Sequence, residues 1–240
     1  MTPVKLIRDI IYVVRVVQKA DLAAAPLTHT VPRAGVVTFL QPPFMTFDLA
    51  ILMKKHGPAS KIRNIHELGN QARIKYGIVD GGATKNFFTI TQTGVYYTMR
   101  SVMDKSPDTS YLQNIEEGVR RVRQSTDSHP FVFIGEQHTL EYHASREPCD
   151  LTAVKAGAKE YMDANTGEYH LAVRQGLPDV TKRKLEEALT NLEDSGRLKE
   201  LYKKWWVDRA QCSRAPSSTV TSVIGVLVPI VVVLSRVTGE

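Results

Sequence analysis

The stretch PLTHTVPR, residues 26–33, follows an apolar run over residues 20–25. An apolar run that stops at a proline predicts a buried strand leading into a loop. In that loop Pro26 leaves a free carbonyl acceptor, Thr28 offers a hydroxyl, and Arg33 carries a planar fork of donors suited to a carboxylate. An acceptor for an ammonium group beside a fork for a carboxylate is what an amino acid ligand requires. A surface loop with an ordinary exposed arginine is the alternative, and these residues alone leave both open.

Two further segments offer groups of the same kind. Residues 80–84, DGGAT, precede a predicted helix at Lys85, and the free N–H groups at a helix N-terminus bind anions, with the Thr84 hydroxyl beside them. A plain N-cap is the alternative, because these residue types cap helices everywhere. Glu136 follows a predicted strand at residues 130–134. A carboxylate there suits an ammonium group, and a surface glutamate in a loop is the alternative.

The remaining pattern predicts an α/β protein. Apolar residues 36–53, punctuated by Pro42-Pro43, predict a strand, and a polar linker follows at residues 54–64. Gly196 is expected at the C′ position of a long helix that starts after Pro178. We expect the apolar stripes of this helix and the next to pack in the core: Leu185, Ala188, Leu189, Leu192, Leu198, Leu201, Tyr202 and Trp205. Further helices are predicted at 65–71, 96–103 and 114–124, strands at 74–79 and 166–173, and an amphipathic helix ending at Gln18 or Lys19.

Composition excludes several classes of protein. The 240 residues carry a net charge of +6, but lysines and arginines are interspersed with acidic residues and form no basic cluster with aromatics. Nucleic-acid binding is therefore not expected. His138, Glu141 and His143 fit no known zinc spacing, so we expect no metal site. A lone histidine such as His129 or His170 makes no catalytic pair, and we expect neither an enzyme nor a cofactor.

The C-terminal part has an apolar run at Val220–Leu234. Residues 219–237 are long enough for one transmembrane helix if the Arg236 side chain extends to the membrane–water interface. Residues 213–218 are predicted to form a linker before it. A glycolipid-anchor signal is the competing interpretation. Cys149 and Cys212 are the only cysteines, and two unrelated buried thiols are the default for a cytosolic protein.

Five blocks in order resemble the ligand-binding core of ionotropic glutamate receptors: ADLAAAPLTHTVPR (20–33), FLQPPFMTFDLAILMKK (39–55), KYGIVDGGATKNFF (75–88), IGEQHTLEYHASREPCDLT (134–152) and LKELYKKWWVDRAQC (198–212). GATKNFF and EEGVRRV (116–122) are most similar to the kainate-type subgroup.

The resemblance implies a two-lobed clamshell similar to periplasmic binding proteins, with an incomplete first lobe and a C-terminal transmembrane helix. The first lobe would comprise residues 1–47 and 170–212, and the second residues 48–169. The family has three pore-region membrane segments at the position of residues 54–64. We therefore expect a truncated chain that lacks the pore and most of the first lobe.

The resemblance also implies a function and its residues. Arg33 would hold the α-carboxylate of L-glutamate or a related amino acid, with Pro26, Thr28 and Glu136 around the amino group. Ala83 and Thr84 would hold the γ-carboxylate. Tyr169 would line the cleft, and a tyrosine packed in the core is the alternative interpretation of this residue. Cys149 and Cys212 would form a disulfide.

In that family the chain would be the extracellular ligand-binding portion of a cation channel. Its partners would be the plasma membrane, postsynaptic in the family, and other receptor subunits in a tetramer. The alternative is an amino acid binding module outside any channel, either a membrane-tethered decoy or a solute-binding protein.

Overall fold

The computed structural model describes residues 20–159 and 167–212, together with the backbone of Val232–Leu234. The first half comprises β1 (Leu22–Thr28), α1 (Val31–Ala34), β2 (Val37–Phe39), β3 (Met45–Thr46), β4 (Leu49–Lys54), a 3₁₀ turn (Pro58–Lys61), α2 (Ile65–Gly69), β5 (Lys75–Val79), α3 (Gly82–Ile90) and α4 (Gly94–Asp104). The second half comprises α5 (Pro107–Ser110), β6 (Tyr111–Leu112), α6 (Ile115–Gln124), β7 (Phe131–Glu136), α7 (Gln137–Ala144), β8 (Leu151–Lys155), β9 (Glu168–Arg174), α8 (Asp179–Asp194), α9 (Arg197–Tyr202), a π-helical turn (Lys203–Val207) and β10 (Val232–Leu234).

The strands form two sheets, which we call the first and second lobe. The first lobe has the strand order β10-β1-β9-β2, with β3 also on β9, and its pairs are antiparallel. The second lobe has the order β6-β5-β7-β4-β8, in which β5 runs parallel to both β6 and β7. The chain is therefore the predicted two-lobed α/β protein, and it crosses between the lobes at β3–β4 and again before β9.

The second lobe is built around β4. All residues of Leu49–Met53 are completely buried, because helices and loops cover both faces of the sheet. Ile51 and Met53 join a core with Phe88 and Met99, while Ala50 and Leu52 join a second core on the opposite face. The predicted strand over residues 36–53 is in fact three strands, because the Pro42-Pro43 region and Phe47-Asp48 separate β2, β3 and β4.

The strand before Arg33 is longer than predicted. β1 continues through Pro26 to Thr28 instead of ending at Ala25. Its pairing with β9 shifts register between Ala23 and Leu27, and such an irregularity accommodates a proline that has no N–H for the ladder. As a result Thr28 ends a strand, and Arg33 lies in the short helix α1.

The C-terminal helices differ from expectation in burial. Gly196 has a left-handed backbone with φ of 73°, as the C′ prediction requires. Leu189 is buried, but Ala188, Leu192 and Leu201 are exposed in the described part of the chain, so the prediction that both stripes pack in the core is wrong for these three residues.

The segment after α9 contacts the second lobe. The Trp206 indole donates to the His138 carbonyl at 2.8 Å, and the backbone N–H of Gln211 donates to the Ser145 carbonyl at 2.8 Å. Cys149 and Cys212 form the predicted disulfide. Residues near 206–212 therefore contact elements of the second lobe.

Two predictions fall largely outside the described residues. These are the N-terminal helix that ends at Gln18 or Lys19 and the transmembrane helix over residues 219–237. Within the latter, Val232–Leu234 is described and forms a strand paired with β1, which differs from the predicted helix. The valine-rich composition suits a strand, and β1 would otherwise present an open edge. Among the described residues no helix is both long enough and apolar enough to cross a membrane.

The disulfide closes a loop with a sequence separation of 63 residues. Loop-closure entropy for such a loop predicts that the double variant Cys149→Ser/Cys212→Ser loses about 4 kcal/mol of unfolding free energy, less any native strain. Urea denaturation of the oxidised protein and the variant measures the difference. Reductant should destabilise only the wild-type protein, and equal stability of all three forms would contradict the assignment.

Candidate functional site

A cleft lies where the two lobes meet. It has a volume of about 670 Å³ with its open mouth included. The first lobe contributes Thr28 and Arg33, while the second lobe contributes three segments: the turn before α3, the start of α6, and the junction of β7 with α7. Five of the seven predicted ligand-binding residues line this one cleft: Thr28, Arg33, Ala83, Thr84 and Glu136.

Arg33 and Thr28 form the wall of the first lobe. The Arg33 Nη1 donates to the backbone carbonyl of Thr28 at 2.9 Å, which anchors one end of the guanidinium. Thr28 is almost completely buried, and its hydroxyl lowers the pKa of the Glu136 carboxyl group. The guanidinium, being planar, keeps its geometry when one nitrogen is anchored, so its other donors keep a fixed direction.

Glu136 lies opposite, at the end of β7. Burial raises the pKa of its carboxyl group. Four groups act against this effect and favour the ionised form: the Tyr169 hydroxyl, the positive charge of Arg33, the Thr28 hydroxyl and, least of all, His138. Glu136 is therefore a desolvated acid whose charge depends on particular neighbours, which suits it to pair with a cation.

Tyr169 supports Glu136 from behind. Its hydroxyl donates to Glu136 Oε2 at 2.5 Å, and its ring stacks on Phe47 with 4.1 Å between centroids. The ring is only 4% exposed and is not among the residues that line the cleft. The prediction placed Tyr169 on the cleft wall, whereas in the structure it positions the acid that lines the cleft.

Ala83 and Thr84 occupy the first turn of α3. This helix starts at Gly82, three residues earlier than predicted, because Gly81 and Gly82 adopt positive φ values of 99° and 79°. The N–H groups of a first helical turn have no partner within the helix, and here they border the cleft. Thr84 is buried, so its hydroxyl and these N–H groups form a compact set of donors for an anion.

Pro26 does not join the other predicted residues. Its side chain is exposed, and it lies in β1 outside the set that lines the cleft. Conversely, sequence analysis missed three lining residues, Asn114, Ile115 and Thr139. Thr139 lies one helical turn after Glu136 in α7, so the helical spacing from Glu136 could have identified it.

The histidine and glutamate residues of α7 serve the structure. His138 Nε2 lies 3.0 Å from the Thr46 carbonyl and its Nδ1 lies 3.4 Å from Glu141. Glu141 also accepts from Gln137 at 2.7 Å and from the Tyr202 hydroxyl at 3.4 Å. Within residues 20–159 and 167–212, no three side chains are grouped in a way that could hold a metal ion.

Comparisons with known proteins agree with this architecture. A family model described as bacterial extracellular solute-binding proteins, family 3, matches residues 16–208. Glutamate receptor 2 of Caenorhabditis elegans is 28% identical over 193 residues, which cover 74% of this chain and 19% of that protein. Glutamate receptor 3 of Homo sapiens is 30% identical over 167 residues, which cover 70% of this chain and 18% of that protein.

A solved structure, the Drosophila muscle GluRIIB complex with glutamate, superimposes with a TM-score of 0.68 at 26% identity, over 82% of this chain and 72% of that chain. The chain thus spans about a fifth of the length of the curated relatives it matches. Because the family model covers most of the chain and the receptor structure has the same fold, the chain belongs to the family of bacterial extracellular solute-binding proteins, family 3, and is related to the ligand-binding domain of glutamate receptors.

Proposed function

We propose that the chain binds L-glutamate, or a close analogue, between its lobes as the extracellular ligand-binding portion of a kainate-like cation channel. The observation that carries this proposal is that Arg33 and Glu136, one from each lobe, line a single cleft. A guanidinium and a carboxylate that face one space are complementary to a zwitterion with one acid and one ammonium group. The family is one of receptors and solute-binding proteins, which supports binding over catalysis.

The α-amino acid part of the ligand would lie between the lobes. Arg33 would bind the α-carboxylate, while Glu136 and Thr28 would bind the ammonium group. The carbonyl of Pro26 remains a proposed acceptor at the edge of this set. Arg33 favours the ionised form of Glu136 in the absence of ligand. When Arg33 pairs with the ligand carboxylate, the ligand ammonium would take its place beside Glu136, so the Glu136 charge would stay paired.

The side chain of the ligand would point at α3. The donors at Ala83 and Thr84 can hold a second carboxylate, which distinguishes glutamate from glycine or alanine. A ligand with carboxylates at both ends bridges both lobes, so the closed arrangement satisfies more contacts than the open one. In a complete receptor, that closure would act on the gate of the channel.

The proposed setting is a plasma membrane, postsynaptic as in the resembled family, with other receptor subunits in a tetramer. The second candidate is an amino acid binding module outside any channel, and the match to extracellular solute-binding proteins favours it. Glutamate-evoked current in cells that co-express the chain with pore-forming subunits, compared with cells that lack it, separates the two candidates.

The Arg33→Lys variant tests the α-carboxylate contact. Lysine keeps the charge but lacks the planar fork, so we expect L-glutamate to bind about 100-fold more weakly, since a charge-assisted pair contributes about 3 kcal/mol. Calorimetric titration of the folded protein measures the change. Arg63→Lys, at an exposed arginine of the second lobe, is the matched control and should bind like the wild-type protein. Equal affinity of Arg33→Lys and wild type would refute the proposed contact.

The Thr84→Val variant tests which part of the ligand reaches α3. Valine has nearly the shape of threonine but cannot donate a hydrogen bond, so the affinity for L-glutamate should fall about tenfold while that for L-alanine stays the same. Competition binding with both amino acids measures this selectivity. Thr89→Val, at an exposed position of the same helix, should change neither affinity. A parallel loss for both ligands would instead indicate a general defect of the cleft.

The Tyr169→Phe variant tests the charge of Glu136. Burial raises the pKa of Glu136, and an ammonium ligand needs its ionised form, so affinity should fall as the pH drops through that raised pKa. Removing the Tyr169 hydroxyl raises the pKa further, so the loss of affinity should begin at a higher pH. Titrations over a pH series measure this shift. Tyr97→Phe, at an exposed tyrosine, is the control, and superimposable profiles for all three proteins would rule out the role of Tyr169.

A further inference from the structure

The ion pair between Asp80 and Lys85 spans the turn on the second-lobe wall of the cleft. Lys85 Nζ donates to Asp80 Oδ1, although the two residues are five positions apart in the chain. All four residues between them, 81–84, line the cleft, whereas the pair itself does not. The side chains of Lys85 and Asp80 are 34% and 57% exposed. An ion pair this exposed contributes little to stability, so we consider what it does to the turn.

The first turn of α3 has N–H groups that no side chain caps. Its N-cap is Gly81, which has no side chain to accept from them, and no acidic residue lies in the turn. Thr84 is 8% exposed, and within the described part of the chain its hydroxyl has no hydrogen-bond partner. Donors of this kind require an acceptor. In the proposed function that acceptor is the side-chain carboxylate of the ligand, so the turn must stay free until the ligand binds.

Asp80 competes for these donors if nothing else binds its carboxylate. It immediately precedes the N-cap, and free N–H groups and the positive end of the helix dipole attract a carboxylate at this place. An acid of the chain that bound there would take the position of a ligand carboxylate. In the structure Asp80 does not cap the turn, because its side chain pairs with Lys85 and its N–H donates to the Leu112 carbonyl at 2.6 Å. The cation therefore holds the acid away from the donors.

A cation–π contact fixes Lys85 in this place. Its Nζ lies over the ring of Tyr111, 4.3 Å from the centroid. Tyr111 belongs to β6, which pairs with β5, the strand that leads directly into Asp80. Asp104 is the other acid at this ring, but it accepts from the Tyr111 hydroxyl and pairs with Arg100 at 3.9 Å. Asp104 thus has partners of its own, and Lys85 is left to neutralise Asp80.

We propose that Lys85 is a positioning residue that determines specificity, because it keeps the Asp80 carboxylate away from the first turn of α3. The turn then stays open to an acidic side chain of the ligand. Without the cation, Asp80 turns toward the donors at Ala83 and Thr84 and competes with dicarboxylic amino acids but not with neutral ones. This inference rests on the proposed function for its ligand and on the ion pair for its mechanism.

The Lys85→Met variant tests the proposal. Methionine keeps an apolar contact with the Tyr111 ring but has no charge to hold Asp80. We expect the affinity for L-glutamate to fall about fivefold, the size of effect that one charge has near a helix N-terminus. The affinity for L-alanine, which has no second carboxylate, should stay the same. Competition binding at low ionic strength measures both, and Lys61→Met, at an exposed lysine of the second lobe, is the matched control.

Removal of Asp80 distinguishes competition by this acid from a simple loss of the Lys85 charge. In the double variant Lys85→Met/Asp80→Ala no carboxylate competes for the turn, so most of the lost affinity for L-glutamate should return. Loosening of the turn would not be repaired by a second truncation. A double variant that binds L-glutamate as weakly as Lys85→Met would overturn the proposal.

Amide hydrogen exchange of the ligand-free protein provides a measurement that does not depend on binding. If Asp80 caps the turn in Lys85→Met, the N–H groups of Ala83 and Thr84 gain an acceptor and should exchange more slowly than in wild type. The double variant should exchange at wild-type rates. Loss of a purely structural contact would make the same groups exchange faster, so unchanged or faster exchange in Lys85→Met would overturn the proposal.

The two measurements separate two kinds of failure. If wild type binds no L-glutamate while exchange slows in Lys85→Met, the proposed function fails and the effect of Lys85 on the turn stands. If wild type and Lys85→Met bind L-glutamate equally well, the specificity role is refuted and the proposed function stands. Equal losses of affinity for L-glutamate and L-alanine would indicate general damage to the cleft, and this result would also refute the specificity role.

Discussion

The half-buried carboxylate of Glu136 is the constraint on which the site depends. An acid removed from water is costly in its ionised form, and its neighbours must compensate for the lost hydration. Here the Tyr169 hydroxyl, the Arg33 charge, the Thr28 hydroxyl and His138 do so, and the first three of these residues lie on elements of the first lobe. The electrostatic requirement of one side chain in the second lobe therefore holds the wall of the first lobe in position across the cleft.

The same part of the chain joins the site to the crossing between the lobes. Glu136 is followed by Gln137, whose N–H donates to the Asp48 carbonyl at 2.9 Å and whose side chain accepts from the Asp48 N–H at 3.3 Å. His138 then contacts the Thr46 carbonyl at 3.0 Å. The start of α7 thus holds Glu136, which lines the cleft, together with the segment at Thr46 and Asp48 that connects β3 to β4.

The sequence predicts a residue of this site only where its role follows from its own chemistry and its place at the end of a strand or helix. Arg33, Glu136 and the Gly-Ala-Thr turn were identifiable because their groups have intrinsic chemistry and lie at the ends of strands or helices. The position of Tyr169 behind Glu136 cannot be deduced from the sequence, since the side that a tyrosine presents depends on packing against Phe47, over a hundred residues away in the chain. The length of β1 was missed because the register shift that admits Pro26 is a property of its pairing with β9.

His170 shows where reasoning from residue types reaches its limit. In the sequence it is one histidine without a nucleophile or metal ligands nearby, and that description remains correct in the structure. Its interest comes from two oxygen atoms that approach its two nitrogens, one from Leu40 and one from Glu168. The contact with Leu40 joins residues 130 positions apart, so only the fold reveals it. Because Tyr169, the next residue, donates to Glu136, β9 carries at adjacent positions a contact with Leu40 and a contact with a residue that lines the cleft. Substitutions at neighbouring positions of one network generally have effects that do not add, so these two contacts are best studied together.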